Sequence, residues 1–363
     1  MGWIGIADLG GGRFDPEGLG KQAGKTRNTL DPDALMPQGT LMLETRLSCC
    51  ATPQTLLAFR GNPPLAGSFS LQMLPGGGII LIETHGDDLR HTTLPHDPDG
   101  RTDVLRLTYC WDVPGGWASL TLERPGTDLV QSVALAPPRP FPVRDIQSMI
   151  MDPRRREMHA EVDFIAVSRK TEPVGPMPGL SGSVPVATPK GNIFADRLRR
   201  GSIVQTADGA QVPVLQTVRR TVPARGSFRP VLIRAPYFNL RQDIVLAPQQ
   251  RLVIGGSEVE YMFGKEAVLV PARHLVNGIS TRFADGPDLI TYHHIVLPGH
   301  EVILAAGCPV ESLYLGRLRR KPEQLALSIL AGADRSLLPE HPKPVWPVLK
   351  PFEAVTLAMH RAA

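Results

Sequence analysis

The sequence predicts a mainly β protein of two consecutive domains, on three observations. Short apolar segments of strand length recur along the 363 residues, separated by turn signals. Glycine and proline are abundant, at 35 and 36 residues, which favours many short strands over long helices. Near the middle, Glu172-Pro-Val-Gly-Pro-Met-Pro-Gly179 places three prolines and two glycines in eight residues. Such a stretch sustains neither a helix nor a central strand, so it marks a domain boundary. A chain of this length also exceeds the usual size of a single core.

In the first half, strands are expected over residues 40–47, 54–59, 68–74, 78–84, 102–111, 117–123 and 162–168. Phe69, Leu71 and Met73 alternate onto one face, as do Leu105, Leu107 and Tyr109, the pattern of a half-buried antiparallel sandwich. In the second half, strands are expected over 202–206, 212–218, 231–234, 244–247, 251–254, 268–270, 291–297 and 301–306. Short helices are expected near 194–199 and 272–276, and a longer one over 318–330. The tail beyond Leu337 is rich in proline but ends in an apolar run over 352–359, expected to dock back.

Composition limits the function classes. Hydrophobic residues make up 42% and support packed cores, while the net charge of +4 is small and dispersed, so no nucleic-acid footprint is expected. The densest basic run, Arg154-Arg155-Arg156, reads as a solvated turn. No run of about 18 apolar residues occurs, so no membrane-spanning helix is expected. The N-terminus lacks a basic region and a sustained apolar core, so no cleavable secretory signal is expected. A cytoplasmic location and export without such a signal both stay open. The cysteines Cys49, Cys50, Cys110 and Cys308 show no metal-ligand spacing and read as reduced, buried thiols.

Two acidic or aromatic features invite a ligand reading in the first half. Asp97, Asp99 and Asp103 have loop-like spacing that suits calcium, although Asp-Pro-Asp-Gly is equally a β-turn sequence. Trp111 and Trp117 could stack on a sugar ring, although strand aromatics are more often core. No cofactor is implied.

The second half opens with Gly179-Leu-Ser-Gly-Ser-Val-Pro-Val-Ala-Thr-Pro-Lys-Gly191, followed by Ile193-Phe-Ala-Asp-Arg-Leu-Arg-Arg-Gly-Ser-Ile-Val-Gln-Thr-Ala-Asp-Gly209. Further on come Leu246-Ala-Pro-Gln-Gln-Arg-Leu-Val-Ile254, a Phe263–Asn277 block, a Tyr292–Ser312 block and Trp346-Pro-Val-Leu-Lys-Pro-Phe-Glu-Ala354. Together these resemble a Hedgehog/intein (Hint) autoprocessing domain of a bacterial type. The first half, in its order of strands and phrases, resembles a concanavalin A-like (laminin G-type) jelly roll over roughly residues 38–170. The resemblances imply a sandwich over 1–172, a linker over 173–178, an all-β Hint fold over 179–335, and a tail over 336–363 docking on it. They also imply a glycan or protein ligand for the sandwich.

The Hint mechanism, as the resemblance implies it, needs a Cys, Ser or Thr nucleophile at the first residue to attack the preceding carbonyl. It also needs a Thr/Ser-x-x-His pair to polarise that amide and protonate the leaving nitrogen. Here those positions read Gly179, Ala247 and Gln250. Glycine has nothing to attack with, alanine donates no side-chain hydrogen bond, and glutamine carries no proton near neutral pH. The closing segment, Ala305-Ala-Gly-Cys308, has no asparagine before its glycine. An acid–base group contributes about 10²–10⁴-fold and an oxyanion donor about 10²–10³-fold. Losing both together with the nucleophile predicts a catalytically degenerate copy. The alternative is self-cleavage by an N-to-O acyl shift through Ser181 or Ser183, with His294 as proton carrier or Cys308 as a displaced nucleophile. A Ser-Gly-Ser segment also reads as turn chemistry, and His274, His293 and His300 are further proton carriers by type alone.

Overall fold

The structure, a computed structural model, describes residues 2–20, 31, 33–46, 52–61, 67–96, 104–127 and 129–362. It is mainly β, built of antiparallel sheets. By packing it divides into two units: Met1–Val174 with Arg225–Ser227, and Gly175–Ala224 with Phe228–Ala363.

In the first unit a seven-stranded sheet runs in the order Val130–Leu135, Trp117–Glu123, Leu105–Asp112, Gln38–Thr45, Val162–Ser168, Trp3–Asp8 and Gly11–Phe14. A five-stranded sheet runs Arg156–Met158, Gln54–Arg60, Gly67–Met73, Ile79–His85 and Asp88–Leu94. Phe69, Leu71 and Met73 of one sheet share a single core with Leu105, Leu107 and Tyr109 of the other, as alternation predicts. Two of the elements that were not anticipated lie at the N-terminus and beside it. Trp3–Asp8 is almost wholly buried, so it has no alternation to read. The helix Val143–Met151 buries Val143, Ile146, Met149 and Ile150 at helical spacing. It lies close over the first strands: a Cβ on Gly12 would overlap the Ile150 carbonyl, and one on Gly5 would sit 2.7 Å from Ile150 Cγ1. The glycines of the N-terminal hairpin are what allow that approach.

The second unit has two six-stranded sheets. One runs Gln216–Pro223, Leu289–Val296, Leu180–Ser181, Ile244–Leu246, Val231–Ile233 and Thr281–Phe283. The other runs Gly191–Phe194, Pro185–Thr188, Val302–Ala305, Cys308–Glu311, Arg251–Gly255 and Ala267–Pro271. The strand expected over 212–218 is two strands. Gln211–Pro213 pairs with Ile203–Gln205, after which Val214 bonds Ser202 and Leu215 bonds Val296, carrying the chain to another sheet.

The helix expected over 194–199 does not form. Ala195 and Asp196 donate to the Val184 and Gly182 carbonyls instead of to their own turn. The helix expected over 318–330 is broken into a 3-10 turn, Leu318–Arg320, and a short helix, Pro322–Ala326, because Pro322 has no N–H to continue the ladder. Residues 272–276 hold a 3-10 turn, Ala272–Leu275. An unanticipated helix, Ser257–Phe263, ends on left-handed Gly264. In the tail, the Leu349 N–H donates to the Leu269 carbonyl and the Leu269 N–H to the Pro347 carbonyl, and the helix Pro351–Ala362 buries Ala354 and Leu357 in the unit's core.

Candidate functional site

Gly179 leads into Leu180–Ser181, a two-residue strand held between Ile244–Leu246 and Leu289–Val296. Its carbonyl accepts the Ala247 N–H at 2.8 Å. A tight turn follows, in which Gln250 N donates to the Ala247 carbonyl at 3.0 Å. The turn brings the Gln250 side chain back over Gly179. Gln250 is 4% exposed, and its Nε2 donates to the Glu311 carbonyl at 3.1 Å. A Cβ on Gly179 would overlap Gln250 Oε1 and lie 2.7 Å from its Cδ and 2.9 Å from its Cβ. Residues 179, 247 and 250 are therefore brought together, and the space beside the first residue is filled by the glutamine. This arrangement holds a backbone carbonyl and an amide side chain, with no nucleophile and no proton carrier at those three positions.

Ser181 and Ser183 stay near that corner, their Oγ atoms 3.3 Å apart. Ser181 is buried and Ser183 exposed. An acyl shift onto Ser181 would have to attack the Leu180 carbonyl, which belongs to a residue paired on both sides within the sheet. Of the adjacent histidines, His293 is the one beside this turn: its Nε2 would lie 3.3 Å from a Cβ on Gly182. Its pKa is lowered, chiefly by burial, with Asp196 opposing. His294 points elsewhere. It is enclosed, its Nδ1 accepts the Ile295 N–H at 3.0 Å, and burial pushes its pKa down to about 3. His274 is likewise pushed down to about 4 by burial, with Arg273 adding.

Cys308 pairs with Ala305 across a two-residue turn at Ala306 and Gly307, both at positive φ. Its thiol is buried and pushed up to about 12, the state of an inert structural cysteine. Sequence reading missed the charged group next to Gln250. Glu311 Oε2 lies 3.1 Å from both Arg251 Nη1 and His300 Nε2, and His300 Nδ1 accepts the Val345 N–H at 2.9 Å. Arg251 directly follows Gln250 in sequence, but Glu311 and His300 reach it only through sheet pairing, which no local signal announces.

In the first unit, Asp97, Asp99 and Asp103 lie outside the described residues, as do Cys49 and Cys50. Trp111 is core rather than ligand surface: it is 1% exposed, its Nε1 donates to the Met36 carbonyl at 3.1 Å, and it stacks on Tyr109. Trp117 is half-buried. Among the described residues, no group of three or more metal-ligating side chains forms, and no helix is long and apolar enough to cross a membrane.

No curated protein matches the chain. Among solved structures, the MchDnaB-1 intein is 14% identical, with 37% of this chain and 98% of that chain covered and a TM-score of 0.26. The CBM40 of the Ruminococcus gnavus IT-sialidase is 14% identical, with 37% and 77% covered and a TM-score of 0.27. The same CBM40 bound to alpha2,3 sialyllactose is 15% identical, with 38% and 78% covered and a TM-score of 0.27. Likenesses this distant decide nothing about chemistry. A family model described as "Hint domain" matches residues 179–317, and that segment of the second unit is a Hint domain.

Proposed function

We propose that the chain joins a binding sandwich over residues 1–172, through a linker over 173–178, to a Hint domain over 179–335 that has kept its fold and lost self-cleavage, with the tail over 336–363 completing it. The sandwich takes a glycan or protein ligand. One observation carries the reading of the Hint domain: the Gln250 side chain stands where a nucleophile on residue 179 would project. Together with Ala247 it leaves no side chain at positions 179, 247 and 250 able to activate or protonate the amide before Gly179. The enclosure of His294 and the buried, protonated thiol of Cys308 support the same reading.

The test is the intact mass of the purified chain after prolonged incubation with a strong thiol nucleophile. A single species of 39.5 kDa is expected. Two fragments meeting near residue 179 would overturn the reading, and Ser181→Ala and Ser183→Ala would then identify the nucleophile.

A further inference from the structure

The inner face of the five-stranded sheet changes character halfway along. On the strand Ile79–His85, residues 79, 81, 83 and 85 alternate onto one face, and Ile79 and Leu81 are core. The neighbouring strand pairs Leu94 with Ile79, Thr92 with Leu81, Arg90 with Glu83 and Asp88 with His85. That face thus passes from apolar to charged, where a sandwich interior ordinarily stays apolar. The change coincides with a cleft lined by Phe69, Phe141, Glu83, Asp88, Arg90 and Arg139 among others.

The charged groups are built in. Glu83 Oε1 accepts the Tyr109 hydroxyl at 2.9 Å. Burial raises the Glu83 pKa, with Tyr109, Arg90 and Arg139 opposing. Asp88 Oδ2 receives Arg90 Nε at 3.0 Å and Arg139 Nη2 at 2.8 Å, and Arg90 Nη1 donates to the Pro137 carbonyl at 2.7 Å. Each guanidinium has five N–H donors, so both keep donors to spare. Phe141 is half-buried and lines the cleft, its ring 4.8 Å from that of Trp111 and 6.3 Å from those of Phe69 and Tyr109 between centroids.

This inventory selects an occupant by exclusion. The carboxylates of Glu83, Asp88 and Asp145 in one cleft disfavour an anion, and the two guanidiniums disfavour a cation. What remains suited is a neutral ligand with many hydroxyls and one apolar ring face, seated in a concave pocket with a few convergent polar groups. We propose that this cleft binds the neutral hexose end of a glycan, its ring face on Phe141 and its hydroxyls shared between Glu83 and the guanidiniums of Arg90 and Arg139. The proposal rests on the reading of the first unit as a binding module, and it names that module's site and ligand class.

The experiment is saturation-transfer NMR on the full chain with methyl glycosides of glucose, galactose, mannose and N-acetylglucosamine, and with sialyllactose as the acidic arm. Binding of at least one neutral glycoside is expected. Glu83→Gln keeps an acceptor for Tyr109, and Arg139→Ala lies at an exposed position. Each should weaken binding about tenfold, the weight of one hydrogen bond to a charged group, with an unchanged melting temperature. Equal binding by the wild type and both variants overturns the site while leaving a glycan ligand standing. Binding of sialyllactose alone overturns the neutral preference. If no sugar of either kind binds, the proposal fails and a protein partner remains for the sandwich.

Discussion

Gly179→Ala isolates the packing argument on which the proposed loss of self-cleavage depends. Gly179 is not in the left-handed region, so its backbone accepts alanine and the cost of the substitution is steric. The new methyl would overlap Gln250 Oε1 and crowd the Gln250 Cδ and Cβ. Gln250 cannot swing aside freely, because it is 4% exposed and its Nε2 is held by the Glu311 carbonyl. Overpacking a filled site costs about 1–3 kcal/mol, and a displaced hydrogen bond adds about 1 kcal/mol. A loss of about 2–4 kcal/mol lowers the melting temperature of a unit this size by roughly 4–16 °C. Gln250→Ala alone should also destabilise, by emptying the corner. In the double variant the methyl finds room, so the two losses should fall short of additive by about 1–3 kcal/mol. Urea unfolding of the full chain, with hydrogen exchange followed in peptides from residues 179–317, reads the relevant transition. An unchanged Gly179→Ala variant, or a cycle additive to within about 0.5 kcal/mol, would refute the claim that the glutamine occupies the nucleophile's place.

Three further outcomes are expected. His294 is held near 3 by burial, while its unfolded pKa is about 6.5. The unfolded chain therefore takes up a proton between those values that the native state refuses. Stability should fall by about 1.4 kcal/mol per pH unit below about 6.5, with His274 adding down to about 4. A pH series of urea midpoints should show a shallower slope for His294→Gln, and an unchanged slope would be contrary. Cys308, with its thiol pushed up to about 12, should resist iodoacetamide at pH 8 until the chain is unfolded, as peptide mapping will show. Labelling in the native state would contradict its burial. Arg106 is 3% exposed, with Glu44 Oε1 at 2.7 Å and Glu123 Oε2 at 3.6 Å. Glu44→Ala removes the nearer of the two carboxylates while Glu123 stays, and should cost about 1.5–3 kcal/mol, the weight of a hydrogen bond to a charged group; a loss under about 0.5 kcal/mol would show the pair to be dispensable.

Alternation made the sandwich strands legible, because Phe69, Leu71 and Met73 bury one side only. It was silent for Trp3–Asp8, whose neighbours cover both faces, and for Val143–Met151, whose register becomes visible once Gly5 and Gly12 are seen beneath Ile150. Where periodicity misled, a local event intervened: Pro322 broke the expected helix, and the bonds from Ala195 and Asp196 to the chain at 182–184 pre-empted another. At the site, the spacing from Ala247 to Gln250 placed the two on one turn, but not how near they come to Gly179, some seventy residues earlier in sequence. That nearness comes from the sheet that pairs Leu180 with Leu246. The charged group of Arg251, Glu311 and His300 and the cleft at Glu83 escaped sequence reading for the same reason. Each is assembled by cross-strand register, and its members are unremarkable singly.

On the proposed reading, the three substitutions in the Hint corner differ in kind. Alanine at 247 removes a donor and leaves its backbone N–H still bonded to the Gly179 carbonyl. Glutamine at 250 and glycine at 179 exchange volume: the longer side chain fits because the shorter one is absent. On the proposed reading, regaining a nucleophile requires Gln250 to retreat in the same step. A histidine returned at 250 would in turn need partners for its ring nitrogens, where Gln250 now uses the Glu311 carbonyl. No single change then both restores chemistry and preserves packing. On the proposed reading, that coupling distinguishes a corner repacked around its losses from an active site with one residue missing.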